Sequence, residues 1–247
     1  MKFSIIIATL NNENTIKRNL ESIKSQSFTD YEIIIVDGGS KDKSIKIIKS
    51  FDFKDIKIKT QNGKGVYNAF NEGINSSIGE IIFILNADDF FCDKDSLKII
   101  QQQFHDNHEI DLLMTNIKMI NIKNKIVRVY KNNQFKNFML YFGFMPPHTG
   151  IFVKKKVYNK FGTFIENFEN AGDFEFLVRI LLKENVRYKK ISNYLVSMSY
   201  GGKSNKNIIS FLTNTKEIKK ALRLNGYFSS YLLIMIRLIL KIFQFRL

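Results

Sequence analysis

The sequence predicts an α/β protein with a mixed, mostly parallel central sheet and a helical C-terminal extension. Two apolar runs, at 33–36 and 81–85, each lead into acidic residues. Strand and helix patterns alternate along the first ninety residues, and 45% of the 247 residues are hydrophobic, which is enough for a large core. Runs rich in Ile and Val between turn residues are typical of strands buried on both faces of a parallel sheet.

The predicted elements follow in order. In the first part of the chain we expect strands at 4–9, 31–37, 56–60 and 81–85, alternating with helices at 15–25, 42–51 and 66–76. Ile16, Leu20 and Ile23 lie at helical spacing and predict the buried stripe of the first helix. Further along we expect helices at 93–104, 135–142 and 173–183 and strands at 111–116, 125–130, 151–153 and 186–198. Such alternation predicts right-handed crossovers with helices on both faces of the sheet.

The C-terminal part predicts a helical extension over 206–247, following one catalytic domain over 1–205. Charged residues at Arg237, Lys241 and Arg246 interrupt the last apolar segment, which leaves fewer than the roughly 20 apolar residues that a membrane-spanning helix needs. On a helical projection Arg237 and Lys241 share a narrow polar stripe beside a wide apolar face. This pattern favours an amphipathic helix at an anionic membrane surface, with packing on the domain or on a second subunit as the alternative.

Charge and cysteine content narrow the classes of partner and compartment. The 38 Lys and Arg against 23 Asp and Glu give a net charge of +15, which attracts polyanions, although an AT-rich genome also favours lysine codons. We recognise no nucleic-acid-binding module and expect no nucleic-acid partner. The single cysteine, Cys92, excludes an internal disulfide and a thiolate metal cluster. The first residues lack the pattern of a signal peptide, so we expect a cytoplasmic protein, peripheral on the inner face of the membrane.

Polar residues follow the predicted strands at the edge of the sheet where α/β folds bind ligands. Asp37 precedes two glycines and a serine, and Thr9 with Asn12 ends the neighbouring strand. Asp88 and Asp89 follow the 81–85 strand, and carboxylates at such a position suit Mg²⁺ or Mn²⁺ bound together with a diphosphate. The sequence therefore predicts a metal-dependent nucleotide-sugar site, with ordinary turns and helix caps as the alternative.

Four motifs in order resemble those of the family-two inverting glycosyltransferases with the A-type fold, particularly the bacterial branch that builds capsule and lipopolysaccharide glycans. They lie at 4–11, 35–42, 63–73 and 85–89, and the resemblance covers most of 3–205. It implies a Rossmann-like nucleotide-diphospho-sugar transferase fold. It also implies a metal-dependent hexosyl- or N-acetylhexosaminyl-transferase that moves one sugar, with inversion, from a nucleoside-diphosphate donor, with UDP as the default nucleotide.

The resemblance also assigns donor residues. It implies that Thr9 and Asp37 hold the base, that Lys64 and Asn71 flank the donor, and that Asp88 and Asp89 form the Asp-x-Asp element. Asn86 stands where the family usually has the first Asp of this element, so the choice of metal ligand between Asp88 and Asp89 stays open, with Asp89 preferred. A glycine-rich loop resembling one in this branch places Lys203 near the diphosphate.

We expect the catalytic general base in the second half of the chain. Asp173 matches the family's acidic motif and would take the proton of the acceptor hydroxyl, with Glu175 as the fallback and helix capping as the alternative. His148 matches a histidine near the acceptor or the metal, although a lone histidine is often structural. The family's Gln-x-x-Arg-Trp motif is missing, which favours single-sugar addition. The expected acceptor is lipid-linked or a glycan in cell-surface polysaccharide synthesis. The alternative is a catalytically silent nucleotide-sugar-binding subunit of a glycan-assembly complex.

Overall fold

The computed structural model describes residues 1–200 and 208–242, and these residues form a nine-stranded mixed sheet. Its N-terminal half is parallel, in the order β3-β2-β1-β4. These strands are β1 (Phe3–Thr9), β2 (Tyr31–Asp37), β3 (Ile56–Thr60) and β4 (Ile81–Ile84). Parallel pairing brings the carboxyl ends of β1, β2 and β4 to one edge, as the two acidic runs predict.

The other half of the sheet continues from β4 in the order β8-β6-β9-β5, with β7 paired to β6. Its strands are β5 (Phe90–Phe91), β6 (Leu112–Ile120), β7 (Ile126–Tyr130), β8 (Ile151–Lys154) and β9 (Tyr188–Ser199). β8 runs antiparallel to β4 and β6, whereas β6 and β9 are parallel. The predicted fold class is confirmed.

Helices cover both faces of the sheet. They are α1 (Ile16–Lys24), α2 (Ser44–Lys49), α3 (Val66–Ser76), α4 (Ser96–Asp106), α5 (Lys155–Phe161), α6 (Gly172–Val178), α7 (Ile208–Leu224) and α8 (Tyr231–Ile242). A π-helical turn, Arg179–Lys183, continues α6. Successive side chains of β1 enter different cores: Ile5 and Ile7 pack on the α1 side, and Ile6 packs on the α3 side. The strand is therefore buried on both faces, as its unbroken apolar run predicts.

Several local expectations differ from the structure. The helix predicted at 135–142 is instead a pair of 3-10 turns, Asn132–Gln134 and Asn137–Phe142. Gly143 ends the second turn at φ +71°. The sequence analysis missed α5 and the two-residue strand β5, which are too short to show a clear period.

The buried carboxylate of Glu32 links neighbouring strands at the edge of the sheet opposite the candidate site. Glu32 of β2 accepts hydrogen bonds from Ser4 Oγ at 2.6 Å, Lys57 Nζ at 2.8 Å and the backbone N–H of Ile78 at 2.6 Å. These donors come from β1, β3 and the segment between α3 and β4. Glu32 therefore ties three separate pieces of chain together.

The C-terminal helices share a core with the preceding residues. Ile218, Ala221 and Leu222 of α7 join the apolar cluster that contains Phe174 and Leu177 of α6. Within residues 1–200 and 208–242, no helix has both the length and the apolar character needed to cross a membrane. The division of the chain at residue 205 stays a prediction.

Candidate active site

The residues expected to hold the nucleotide base lie together at the carboxyl edge of the sheet. Thr9 at the end of β1 pairs in register with Asp37 at the end of β2, and both are buried. The Asp37 carboxylate accepts hydrogen bonds from Ser40 N and Ser40 Oγ at 3.0 and 2.5 Å and from Gly39 N at 3.2 Å. Thr9 Oγ1 donates to Asn12 Oδ1 at 3.2 Å. The two strand ends therefore present a fixed set of polar groups.

The two predicted donor-flanking residues have different surroundings. Lys64 is exposed in the loop after β3, which reaches this edge because Gln61 N donates to the Asp37 carbonyl at 2.8 Å. Asn71 is buried in α3, and its amide hydrogen-bonds both the N–H and the carbonyl of Phe164 and also Glu166. In this structure Asn71 holds the loop around Phe164. Its role toward a donor stays a prediction.

Asp88 and Asp89 follow β4 directly and lie beside the end of β9. Asp89 is 2% exposed and accepts hydrogen bonds from Asn86 Nδ2 at 3.0 Å and Ser199 N at 3.2 Å. The Asp88 carbonyl accepts hydrogen bonds from Ser199 Oγ and Arg18 Nη2. Burial, followed by the charge of Asp88, raises the pKa of the Asp89 carboxyl to about 7. The buried Asp89 carboxylate is therefore held beside a second negative charge, which disfavours its ionised form.

These carboxylates fit a divalent cation that arrives with a diphosphate. No group of three or more His, Cys, Asp and Glu side chains in the described part of the chain is arranged to hold a metal ion. Mg²⁺ commonly binds through one or two carboxylates together with substrate phosphates, so a pair of protein ligands suffices. Burial is the largest cause of the raised pKa of Asp89, and a cation bound beside the carboxyl would lower that pKa.

His148 connects the Asp89 region to Asp173. It lies in the 3-10 turn His148–Gly150, immediately before β8. Its Nε2 lies 3.3 Å from Asn86 Oδ1, and its Nδ1 lies 3.3 Å from Asp173 Oδ2. Burial lowers the pKa of His148, but Asp173, Asp89 and Asp88 outweigh that effect and raise it overall. The histidine is thus held between acidic groups from two distant segments.

Asp173 lies in the first turn of α6 and is oriented by a tyrosine that the sequence analysis missed. The buried Tyr67 of α3 donates its hydroxyl to Asp173 Oδ1 at 3.1 Å. The ring reaches this position because residue 172 is glycine: a Cβ there would lie 2.8 Å from the Tyr67 ring. The backbone N–H of Phe174 also donates to Oδ1, at 2.9 Å. Tyr67 lies within the 63–73 motif, but no sequence signal indicates its contact 106 positions further on.

Glu175 lies outside this network. It is buried and forms a two-pronged ion pair with Arg179, at 2.8 and 3.1 Å, and it also accepts a hydrogen bond from Asn225. The i, i+4 spacing of Glu175 and Arg179 is a sequence signal that indicates this pairing. The structure therefore does not bring Glu175 to the Asp173 and His148 cluster. Lys203 lies outside the described residues.

The site residues form one hydrogen-bonded chain across the carboxyl edge of the sheet. It runs from Tyr67 through Asp173, His148 and Asn86 to Asp89. The Asp89 carboxylate, just after β4, suits an anionic ligand with its cation. The second carboxylate, beyond the histidine, suits proton abstraction.

Residues 4–168 match the family described as Glycosyl transferase family 2. An uncharacterized glycosyltransferase of Methanocaldococcus jannaschii is 28% identical over 214 residues, which are 82% of this chain and 72% of that protein. The PGL/p-HBAD biosynthesis glycosyltransferase of Mycobacterium tuberculosis is 27% identical over 180 residues, 72% of this chain and 68% of that protein. Poly(ribitol-phosphate) beta-N-acetylglucosaminyltransferase TarS of Staphylococcus aureus is 31% identical over 127 residues, covering 49% of this chain and 22% of that protein.

Solved structures show the same fold. S. aureus TarS 1–349 in complex with UDP-GlcNAc superposes with a TM-score of 0.73 at 20% identity, covering 96% of this chain and 72% of that chain. The mannosyltransferase PcManGT of Pyrobaculum calidifontis, in complex with GDP-Man and Mn²⁺, superposes with a TM-score of 0.65 at 14% identity, covering 90% of this chain and 63% of that chain.

Proposed function

Because the chain belongs to glycosyl transferase family 2, which matches residues 4–168, we propose that it transfers one sugar, with inversion, from a UDP-sugar to a lipid-linked or glycan acceptor. The product belongs to cell-surface polysaccharide synthesis of the capsule or lipopolysaccharide type. Residues 1–205 form the catalytic part in this proposal. The reaction takes place at the cytoplasmic, inner face of the membrane.

The observation that carries the proposal is the separation of two acidic groups by His148. Inversion in a single displacement needs a base on the side of the anomeric carbon opposite the leaving diphosphate. Asp173 is the base in this proposal, and Asp88 with Asp89 is on the diphosphate side. His148 Nδ1 lies 3.3 Å from Asp173, and its Nε2 lies 3.3 Å from Asn86, which in turn donates to Asp89. The arrangement supports different roles for the carboxylates, with proton abstraction by Asp173 and diphosphate binding with a cation at Asp88 and Asp89.

Tyr67 and His148 orient the base in this proposal. Each contacts a different oxygen of Asp173, so together they fix the plane of the carboxylate. An oriented carboxylate takes the proton of the acceptor hydroxyl while that oxygen attacks the sugar. His148 lies between the base and the donor side, where it also borders the acceptor.

The remaining residues hold the donor. Contacts to the nucleotide base or the ribose come from Thr9, Asn12 and Asp37. Asn71 keeps the Phe164 loop beside the donor. Positive charge near the diphosphate comes from Lys64 and Lys203. Asp89, with Asp88, holds Mg²⁺ or Mn²⁺. The cation, when bound, stabilises negative charge on the departing nucleoside diphosphate.

The first donor to test is UDP-GlcNAc, because TarS has been crystallised with it. UDP release is measured with Mn²⁺, Mg²⁺ or a chelator, with water or short glycans as acceptor. Asp173→Asn is expected to reduce the rate by about 10²- to 10⁴-fold, the usual contribution of a general base. The matched control is Asp106→Asn, which changes an exposed aspartate at the end of α4.

Two outcomes would contradict the proposal. UDP-GlcNAc binding without any turnover, over a full donor screen, would indicate the catalytically silent binding subunit. Turnover that is unchanged in Asp173→Asn would exclude Asp173 as the base. A different preferred donor would change only the identity of the sugar.

A further inference from the structure

Arg237, in the polar stripe of α8, is turned into the protein. Arg237 is 2% exposed and donates to Asn214 Oδ1 at 2.9 Å and to Thr215 Oγ1 at 2.7 Å, both on α7. Its guanidinium also lies over the ring of Phe211. Burial lowers the pKa of Arg237 to about 10. Arg237 thus anchors α8 to α7 and does not face the surroundings.

On the side of α8 away from Arg237, several apolar side chains among residues 231–237 point outward. Leu232 is 83% exposed, and Met235 and Ile236 follow it at i+3 and i+4, both exposed. Phe228, just before the helix, is 79% exposed. Side chains at this spacing form one continuous patch on a helix. A contiguous apolar patch on the surface of a protein usually marks a docking site.

A basic groove borders this patch. Lys216, Lys219, Lys220 and Arg223 of α7 line a cavity of about 390 Å³ together with Leu224 and Tyr231. Lys219 Nζ lies 3.9 Å from the centre of the Tyr231 ring, so the groove adjoins the beginning of α8. The groove therefore presents four positive charges beside an apolar surface.

The acidic residue of α7 does not neutralise the groove. Glu217 is the single Asp or Glu among residues 208–242. Its carboxylate accepts hydrogen bonds from the backbone N–H groups of Glu169, Asn170 and Ala171, at 2.7–2.9 Å, just before α6. The charge of the groove thus stays positive and calls for an anionic partner.

We propose that the exposed apolar face of α8 and the basic groove of α7 form one docking surface for an anionic phospholipid bilayer. A bilayer covers Phe228, Leu232 and Ile236 with its acyl region while its headgroup phosphates meet the lysines. A nucleic acid satisfies the charge but leaves the apolar face in water. The inference rests on the proposed function for its location at a membrane.

The docking surface is attached directly to the helix of the proposed base. Glu217 holds the segment that leads into Gly172 and Asp173, and Asn225 at the end of α7 donates to Glu175 of α6 at 3.1 Å. A bilayer held on α7 and α8 therefore has a fixed relation to Asp173. A lipid-linked acceptor is presented to the base in that geometry.

Vesicle sedimentation of the full chain tests the inference. We expect binding to phosphatidylcholine vesicles that contain phosphatidylglycerol and little binding to phosphatidylcholine alone. Leu232→Glu with Ile236→Glu is expected to abolish binding. Lys219→Glu with Lys220→Glu is expected to weaken it at least tenfold, since each basic residue contributes about fivefold near an anionic surface.

Matched controls separate the surface from bulk properties. Ile122→Glu changes a residue that is 94% exposed in the turn between β6 and β7, and Lys24→Glu with Lys49→Glu reverses two exposed charges on α1 and α2. Both controls are expected to bind as the wild type does. All variants are expected to keep the wild-type melting temperature, since the changed side chains are on the surface.

Several results would overturn the inference. These are unchanged vesicle binding in Leu232→Glu with Ile236→Glu, equal loss in the controls, or tighter binding to DNA than to anionic vesicles at the same salt. Dimerisation of the wild type that is abolished by the α8 variant would assign the patch to a second copy of the chain. UDP release with a soluble acceptor is measured in parallel, so that loss of docking and loss of the proposed activity are distinguished.

Discussion

Replacing Tyr67 with phenylalanine tests whether the Asp173 carboxylate needs its orienting hydroxyl. The substitution removes one hydrogen bond, of 3.1 Å, to a carboxylate oxygen that keeps the Phe174 N–H at 2.9 Å. A hydrogen bond to a charged group contributes about 1.5–3 kcal/mol, and the length of this one places it at the lower end, about 1.5–2 kcal/mol. Since about 1.4 kcal/mol corresponds to a tenfold change, kcat is expected to fall about 10- to 30-fold.

The assay is UDP release under saturating donor, followed by a titration of the donor. KM for the donor is expected to be unchanged, because the hydroxyl that is removed contacts Asp173 and the ring of residue 67 is kept. The melting temperature is expected to fall by roughly 3–8 °C from the lost hydrogen bond, because 1 kcal/mol corresponds to about 2–4 °C in a protein of this size. Phenylalanine keeps the ring that packs against Gly172, so no larger loss is expected. A fall in kcat alone is the signature of a lost orienting contact.

Tyr158→Phe is the matched control. Tyr158 is also a buried tyrosine, and its ring contacts Phe164, as the ring of Tyr67 does. It stacks on Phe176 of α6, so the substitution perturbs the same helix without removing a contact of Asp173. Equal losses of kcat in the two variants would refute the reasoning, as would a Tyr67→Phe enzyme with the activity of the wild type.

Two further predictions concern stability. Glu32→Gln is expected to lower the free energy of unfolding at pH 7 by about 2–3 kcal/mol, because it removes a buried carboxylate with four hydrogen-bond donors. Burial raises the pKa of Glu32, but hydrogen bonds from Ile78, Lys57 and Ser4 lower it below its ordinary 4.5 overall. The wild type therefore loses this stability as the pH falls from 4.5 through the lowered pKa. Urea titrations at pH 7 and below pH 4 should show that the difference in unfolding free energy between wild type and variant becomes smaller at low pH. A difference that stays constant would contradict the assignment. Mn²⁺ at about 100 times its Kd, added with UDP, is expected to stabilise the protein by about 2.7 kcal/mol, or roughly 5–10 °C in melting temperature. A chelator is expected to reverse this shift, and Asp89→Asn is expected to abolish it. A shift in melting temperature that neither the chelator nor Asp89→Asn changes would exclude Asp89 from the metal site.

The sequence predicted best what depends on short-range pattern. The runs at 33–36 and 81–85 predict buried parallel strands because both faces of such strands are apolar, and β2 and α3 have their predicted bounds. Parallel pairing then explains why Thr9 and Asp37 are neighbours. The position of Asp88 and Asp89 at the same edge follows from the pairing of β1 with β4.

Contacts between distant segments were not predictable from one sequence. Tyr67 and Asp173 are separated by 106 positions, and Glu166 reaches Asn71 across 95. These contacts depend on the packing of α3 against α6 and its preceding loop, which residue pattern alone does not specify. Arg237 is a similar case: its position on the helical projection was correct, but the side of α8 that faces α7 is decided by the partners at Asn214 and Thr215.

The beginning of α6 is the point where these long-range contacts converge, and this has a consequence for how the C-terminal extension acts. Asp173 is held by Tyr67 from α3 and by His148 from the turn before β8, while Glu217 of α7 holds the three backbone N–H groups just before it. A carboxylate is an efficient base when its orientation toward the reacting group is fixed. The extension therefore contributes to the geometry of the proposed base through Glu217, in addition to forming the proposed docking surface on α7 and α8. A change that shifts α7 is expected to affect kcat even though no residue of α7 contacts Asp173 in the proposed mechanism.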